Sequence, residues 1–228
     1  MFNGLIRELA TVQGYANNIL SLRASYKPNL GDSIAVNGAC LTVTQVFANG
    51  FAVELSKETR LKIATQNLKG RVHIEAALRY GDRIEGHLLQ GHIDGVGEIT
   101  SIKKSENGTD FFIKIPLNLK PFMASKGSVG VDGISLTINE VLESTIRLTL
   151  IPLTMRESLF GSYKVGRRVN IESDLLARYT ASILENRAFL GLNSAQNDLE
   201  TSLQGTNSSK NSKRELSWQD IERISYLY

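Results

Sequence analysis

GDSIAVNGACLTVTQV, from Gly31 to Val46, returns as KGSVGVDGISLTINEV from Lys126 to Val141, at a constant offset of 95 residues. Each copy sets a two-residue turn, Asn37-Gly38 or Asp132-Gly133, between apolar runs. Both residues of each pair tolerate positive φ, as a type I′ turn demands, so each copy predicts a tight β-hairpin. Side chains on a strand alternate between faces. Leu41 and Val43 therefore oppose Cys40, Thr42 and Thr44, while Leu136 and Ile138 oppose Ser135, Thr137 and Asn139. Each hairpin is expected to give one face to a core and present a row of small polar groups on the other.

The repeat extends further. Thr59 pairs with Thr154 at the same offset, and Arg71–Glu75 (RVHIE) pairs with Arg168–Glu172 (RVNIE) at an offset of 97. The opening FNGLIRELATV resembles IDGVGEITSI, Ile93–Ile102. Short apolar runs such as Ser33–Val36, Cys40–Val46, Phe51–Leu55 and Arg71–Glu75 lie between Gly, Asn and Asp turns. That density of turns predicts an all-β sandwich or barrel, and the duplication predicts two similar barrels, over 1–88 and 89–174.

Beyond Asp174 the period changes. Leu175, Leu176, Tyr179, Ile183, Leu184, Ala188 and Phe189 recur at three- and four-residue spacings, with Arg178, Glu185 and Arg187 between them. This predicts an amphipathic helix over 175–190. So short a helix after two β domains has little core of its own to cover, and packing against a second copy is expected. Residues 191–228 are rich in Ser, Asn and Gln at their start and read as a disordered tail. Leu216, Trp218, Ile221, Ile224 and Leu227 within it fit either a frayed terminus or a docking peptide.

Composition narrows the function. Hydrophobic residues make up 42% of the 228, too many for a disordered chain. The net charge of +3 gives no electrostatic case for nucleic acid. A single cysteine excludes an intrachain disulfide and a Cys-rich zinc site. No apolar run approaches the roughly 18 residues of a membrane span. Glu8 follows the first residues too closely for a signal peptide. A cytoplasmic protein with no metal, cofactor, nucleic-acid or membrane partner is expected.

The polar row has two readings. Threonine is common on strands, so these residues fit a plain solvent-facing surface. Small hydroxyls also leave room for a flat ligand while offering donors and acceptors, and flanking peptide groups could pair with the edge of a heterocycle such as a pteridine. Retention of the row in both copies brings the ligand reading level with the plain one. Between the copies lies GHLLQGH, Gly86–His92. Its two histidines are five apart, which suits no common metal-binding spacing. His92, among glycines, is the better candidate for a ligand or proton-transfer contact, and His73 reads as structural or exposed. Cys40 reads as a polar pocket group, since Ser135 replaces it in the second copy. Asp174 fits a helix N-cap or a site carboxylate.

MFNGLI (Met1–Ile6), VNGACLTV (Val36–Val43), SKET (Ser56–Thr59), GHLLQGHIDGVG (Gly86–Gly97), VDGISLTI (Val131–Ile138), LIPLT (Leu150–Thr154) and NIESD (Asn170–Asp174) occur in this order. Together they resemble the riboflavin synthases of the alpha-subunit type, with duplicated lumazine-binding barrels. The resemblance runs from Met1 to about Leu190 and implies two six-stranded Greek-key barrels and a C-terminal helix that assembles a homotrimer. It implies a reaction between two molecules of 6,7-dimethyl-8-ribityllumazine: a four-carbon unit passes from one to the other, giving riboflavin and 5-amino-6-ribitylaminouracil, the last step of riboflavin biosynthesis, with no cofactor or metal. Association with a lumazine synthase is left open.

Carried over by motif, the N-terminal site would use Gly4, Leu5 and Ile6, then Cys40, Leu41 and Thr42. Glu54, Leu55, Ser56, Lys57, Glu58 and Thr59 would follow, with Gly91, His92 and Ile93 completing it. The C-terminal site would use Lys126, Ser135, Leu136 and Thr137, then Thr149, Leu150, Ile151, Pro152, Leu153 and Thr154. Phe2 would stack or gate, and Ser33 would add a polar contact. Cys40, His92, Ser135 and Asp174 are the expected catalytic groups. Asn3 departs from the family's usual Thr but can still hydrogen-bond a ring or a ribityl chain. Two rivals share parts of this pattern. A lumazine- or flavin-carrying protein would have lost the ligand residues of one copy. An oligonucleotide-binding barrel would need basic grooves with exposed aromatics.

Overall fold

A computed structural model describes residues 1–106 and 108–186; the expected tail over 191–228 and the end of the expected helix lie outside the described residues. Six strands, β1 (Glu8–Ala16), β2 (Ile19–Arg23), β3 (Ser33–Val36), β4 (Ala39–Phe47), β5 (Gly50–Glu54) and β6 (Arg71–Ala76), close into a barrel in the order β1-β2-β5-β4-β3-β6. The next six repeat it: β7 (Gly95–Ser105), β8 (Gly108–Lys114), β9 (Ser128–Val131), β10 (Ile134–Val141), β11 (Thr145–Leu150) and β12 (Arg168–Ser173). Adding six to each label of the first barrel reproduces the cyclic order of the second. All pairings are antiparallel, and closure leaves neither sheet with a free edge.

The hairpins form as the turn chemistry requires. Asn37 and Gly38 sit at φ 44° and 84°, and Asp132 and Gly133 at 45° and 83°. The β3–β4 ladder sets Ser33 opposite Thr42 and Ile34 opposite Leu41. Leu41 and Val43 are buried, Cys40 is half-buried and Thr42 is exposed, so the alternation holds. Each barrel has its own core. The first is packed by residues such as Leu20, Phe51 and Val72, the second by Ile99, Phe111 and Phe160, all within 1% of full burial. Each such side chain contributes roughly 1.5–3 kcal/mol.

A short helix follows the fifth strand of each barrel: α1 (Lys57–Lys62) after β5 and α2 (Pro152–Glu157) after β11. Ser56 caps α1, its Oγ accepting from Thr59 N at 3.0 Å. Pro152 opens α2 at the position where a missing N–H costs nothing.

The turns of the two hairpins meet between the barrels. A Cβ built on Gly38 would lie 2.6 Å from Gly133 N, so neither turn can carry a side chain there. Asn170 Nδ2 donates to Asn37 O across the joint at 2.8 Å. His73, fully buried at this joint, is structural rather than exposed.

The last described helix, α3 (Leu175–Glu185), follows β12 directly. Leu176, Tyr179 and Ile183 on it are 74%, 60% and 56% exposed, so the apolar stripe read in the sequence is uncovered. Met1–Ile183 forms one compact unit. Among the described residues no helix is long and apolar enough to cross a membrane.

Candidate functional site

Two buried carboxylates organise the region. Glu75 on β6 accepts from Asn3 N at 2.7 Å and Gly4 N at 3.0 Å. Glu172, its counterpart on β12, accepts from Gln90 N at 2.7 Å and Gly91 N at 3.0 Å. Burial pushes both carboxyls above the usual range, and the backbone N–H donors oppose that rise. Each glutamate therefore pins a strand-like tripeptide, Phe2–Gly4 or Leu89–Gly91, beside its own barrel. The two tripeptides also pair with each other: Phe2 N donates to Leu89 O at 2.7 Å and Leu89 N to Phe2 O at 3.0 Å.

From there each tripeptide crosses over. Gly4 O accepts from Ser135 N of the second barrel at 2.9 Å. Gly91 O accepts from Cys40 N of the first barrel, also at 2.9 Å. Ile6 packs against the second core and Ile93 against the first. This regroups the residues carried over by motif. Gly4, Leu5 and Ile6 were expected with Cys40, but Gly4 and Ile6 belong with Ser135. Gly91, His92 and Ile93 stay with Cys40. The reason is that each repeat's opening segment, before β1 in the first and after the β6 linker in the second, lies against the other barrel, an exchange that offsets within one chain do not reveal.

Both approaches need glycine. A Cβ on Gly4 (φ +75°) would stand 2.6 Å from Ser135 Cβ, and one on Gly91 (φ +77°) 2.5 Å from Cys40 Cβ. Around Cys40 a cavity of about 590 Å³ opens, lined among others by Thr59, His92, Ile93 and Arg178. That volume is in the range of small-molecule sites.

Around Ser135 the structure adds a residue the sequence reading passed over. His87 Nδ1 lies 2.7 Å from Ser135 Oγ. Burial lowers the His87 pKa and the nearby Asp174 carboxylate partly restores it. His87 Nε2 is buried and has no hydrogen-bond partner among the described residues. The only signal in the sequence was its place in the inter-repeat linker, and His92 was preferred there for its glycine neighbours. Asn3 also works differently from expectation. It is buried, and its amide spans the linker: Nδ2 donates to Arg83 O at 3.1 Å, while Oδ1 accepts from Glu85 N at 3.0 Å and Gly86 N at 2.7 Å. Its side chain holds the segment that delivers His87.

Other expected residues divide by exposure. Phe2 is 1% exposed and packed with Ala35 and Leu89, so its ring is not free to stack or gate. Leu41, Leu55 and Leu150 are core residues, leaving only main-chain atoms to a ligand. Glu54, Lys57 and Glu58 are exposed; Ser33, Leu136 and Thr149 are half-buried. Thr149 Oγ1 is engaged with Asp110 at 2.7 Å. Thr137 is exposed beside Ser135 and Leu136, matching Thr42 beside Cys40 and Leu41. Ile151 and Leu153 stand 54% and 53% exposed on either side of Pro152, with Thr154 half-buried after them. Asp174 precedes α3 and its Oδ1 accepts from Leu176 N at 2.8 Å, so it caps the helix while its charge acts on His87. Lys126 holds a left-handed backbone, φ +69°, where the first copy has Gly31. Among the described residues no cluster of His, Cys, Asp or Glu suits a metal ion.

The sequence profile of the lumazine-binding domain family matches twice, over residues 3–77 and 90–174. The chain is 35% identical over 195 residues to riboflavin synthase of Photobacterium leiognathi, covering 81% of this chain and 89% of that one. It is 38% identical over 188 residues to riboflavin synthase of Bacillus subtilis (strain 168), covering 78% and 87%. Among solved structures, LumP complexed with riboflavin superposes with a TM-score of 0.68 at 21% identity, covering 76% of this chain and 99% of that one. LumP complexed with 6,7-dimethyl-8-(1'-D-ribityl) lumazine gives 0.66 at 20% identity, with the same coverage. These two likenesses concern the fold.

Proposed function

The chain belongs to the riboflavin synthase family, and from that membership we propose how its two half-sites divide the work. The reaction joins two molecules of 6,7-dimethyl-8-ribityllumazine. A four-carbon unit leaves one and enters the other, giving riboflavin and 5-amino-6-ribitylaminouracil with no net oxidation. The observation that carries this reading is the preservation of both half-sites. Cys40 faces Gly91 and His92, Ser135 faces Gly4 and His87, and the supporting glutamates match bond for bond.

One lumazine is bound at Cys40, Thr42, Thr59, His92 and Ile93. The other is bound at Ser135, Thr137, Ile151, Leu153 and Thr154, with Gly4 and Leu5 along its edge. The exposed Ile151 and Leu153 give the second ring an apolar surface. Much of the rate comes from holding two reactants in register, which removes a large entropic part of the barrier. Reaction starts with loss of a proton from the C7 methyl of one lumazine, whose own ring delocalises the charge. His92, Cys40 or a water takes that proton. At the other ring, Ser135 Oγ with His87 behind it activates the nucleophile that adds to C7. Burial favours neutral His87, which can accept a proton.

A half-site on each barrel suits face-to-face substrates supplied by neighbouring subunits. The uncovered Leu176, Tyr179 and Ile183 of α3 suit a homotrimer, which light scattering would test. A lone cysteine fits the reducing cytoplasm. The direct test is incubation of the purified chain with 6,7-dimethyl-8-ribityllumazine alone. One riboflavin per two lumazines consumed, without metal or nucleotide, is the expected result. Tight binding without turnover would instead make the protein a lumazine carrier.

A further inference from the structure

Glu172 and Glu75 hold their tripeptides alike but differ in one respect. Arg178 of α3 brings Nη2 to 3.6 Å from Glu172 Oε1 and to 3.0 Å from Gln90 Oε1. Its Nη1 lies 3.4 Å from Asp94 Oδ1. The other Asp94 oxygen is held by Ser173 N at 2.7 Å and Ser173 Oγ at 2.6 Å. The Arg178 side chain is only 22% exposed, so this is a mostly covered junction. Among the described residues no cation comes within ion-pair distance of Glu75. Arg178 also lines the cavity that holds Cys40 and His92.

We propose that Arg178 is a positioning residue for the Cys40–His92 half-site, making that half-site depend on the docking of α3. The contacts run without a break. The guanidinium holds the Glu172 carboxylate, that carboxylate holds Gln90 N and Gly91 N, and Gly91 O holds Cys40 N. The Ser135 half-site has no such tie. Its linker is fastened by the neutral amide of Asn3, and α3 reaches it only through the charge of its capping Asp174 on His87, with no chain of contacts from a cation to the backbone.

Four elements surround Glu172. α3 supplies Arg178, and the linker supplies the N–H groups of Gln90, Gly91 and His92. The segment before β7 supplies Asp94 through Arg178, while the residue paired with Glu172 on β9 is uncharged Gly130. Removing the cation leaves a buried carboxylate that takes a proton more readily. Once protonated it holds the linker amides less well, and the cavity wall loosens from the acid side.

The test uses the full chain as wild type, Arg178→Lys and Arg178→Gln. Cys40 is its only cysteine, so alkylation by iodoacetamide reports the wall at Cys40 independently of turnover. Arg178→Gln should alkylate about threefold faster or more, through freer local opening, with Arg178→Lys close to wild type. The acid limb of kcat/KM for riboflavin formation should rise by ~1 pH unit in Arg178→Gln and return in Arg178→Lys. A wild-type alkylation rate together with an unshifted acid limb in Arg178→Gln would overturn the proposal. It rests on the lumazine reading only for the second readout: faster alkylation in a chain that makes no riboflavin would sink that reading and leave this one standing. Should Arg178→Gln not fold, Gln90→Ala removes the 3.0 Å contact alone and should also speed alkylation; an unchanged rate there overturns the proposal.

Discussion

His73 and Asn170 make the same hydrogen bonds in opposite barrels. Each backbone N–H donates to the turn residue of its own hairpin, Asn37 Oδ1 at 2.9 Å and Asp132 Oδ1 at 2.8 Å. Each side chain then crosses the joint. Asn170 Nδ2 donates to Asn37 O and Oδ1 accepts from Ala64 N at 2.7 Å. His73 Nδ1 meets Asp132 O, and Nε2 meets Leu159 N, both at 2.9 Å. A carbonyl only accepts and an amide N–H only donates, so His73 is the neutral Nδ1–H tautomer, an imidazole doing the work of an amide.

Protonating His73 therefore removes an acceptor from a buried N–H. Its pKa is lowered to about 4, by desolvation first and by Arg167 and Arg71 next, against a favourable bond to Asp132. The unfolded chain binds the proton below pH ~6.5 and the folded chain only below about 4, so stability is full above 6.5 and falls with acid through that window. The loss attributable to His73 is roughly 3 kcal/mol. Buried Glu75, Glu172 and Asp132 have raised pKa values and act in the opposite sense. The check is thus a difference: urea melts of wild type and His73→Asn at pH 7.5 and 4.5. Wild type should lose more on acidification, because asparagine offers the same donor and acceptor without a charge.

Asn3→Ala should free the linker. It removes one donor and one acceptor that serve three backbone groups between Arg83 and Gly86. At ~1 kcal/mol per hydrogen bond, a loss of about 2–3 kcal/mol is expected. Turnover should fall with little change in KM, since the loosened segment carries His87. Hydrogen exchange localised to residues 83–88 would check the cause, and protection equal to wild type there would refute it.

Much of this was legible in the sequence. The repeat, the Asn37-Gly38 and Asp132-Gly133 turns and the two-residue alternation define the barrels, because turn chemistry and strand period are local properties. The crossing of Gly4 to Ser135 and Gly91 to Cys40 was not legible, because it depends on which barrel each opening segment packs against. His87 and Asn3 were missed or misread for the same reason: their partners lie 48 and 80 or more residues away. Phe2 was misread because a buried aromatic and a stacking one look alike in sequence.

Gly91→Ala and Gly31→Ala should separate close packing from backbone strain. Both glycines have positive φ, but a Cβ on Gly31 meets nothing within 4 Å, whereas one on Gly91 meets Cys40 Cβ at 2.5 Å. Gly31→Ala should cost about 1–2 kcal/mol, the left-handed penalty alone. Gly91→Ala should cost about 2 kcal/mol more, because the cavity wall must move. Chemical denaturation of both variants gives the comparison; equal costs would mean the wall yields freely.

Ser135→Ala should lower kcat about 10²- to 10⁴-fold, the usual scale for a group that handles a proton in the transition state. Its hydroxyl is the partner of His87. KM should change little, since Leu136 and the backbone remain. Cys40→Ser keeps a small polar group and copies the second repeat, so a milder effect is expected. Stopped-flow measurement of lumazine consumption would rank the two, and a larger loss for Cys40→Ser would move the decisive chemistry to the first barrel.

Lys126→Gly should make the protein more stable and less active. Lysine at φ +69° pays a left-handed penalty of roughly 1–2 kcal/mol that glycine avoids, although glycine loses more entropy on folding. A net gain of about 0.5–1 kcal/mol remains after that offset. The fold needs this backbone shape, because Lys126 N donates to Ile138 O at 2.7 Å, as Gly31 N does to Val43 O at 2.9 Å in the first barrel. It does not need the side chain, which is exposed and makes no ion pair among the described residues. Strain kept at an exposed position is what the substrate contact proposed by motif for Lys126 would account for. Melting temperature and riboflavin formation measured on one preparation should move in opposite directions. A rise in stability with unchanged turnover would remove Lys126 from the substrate site.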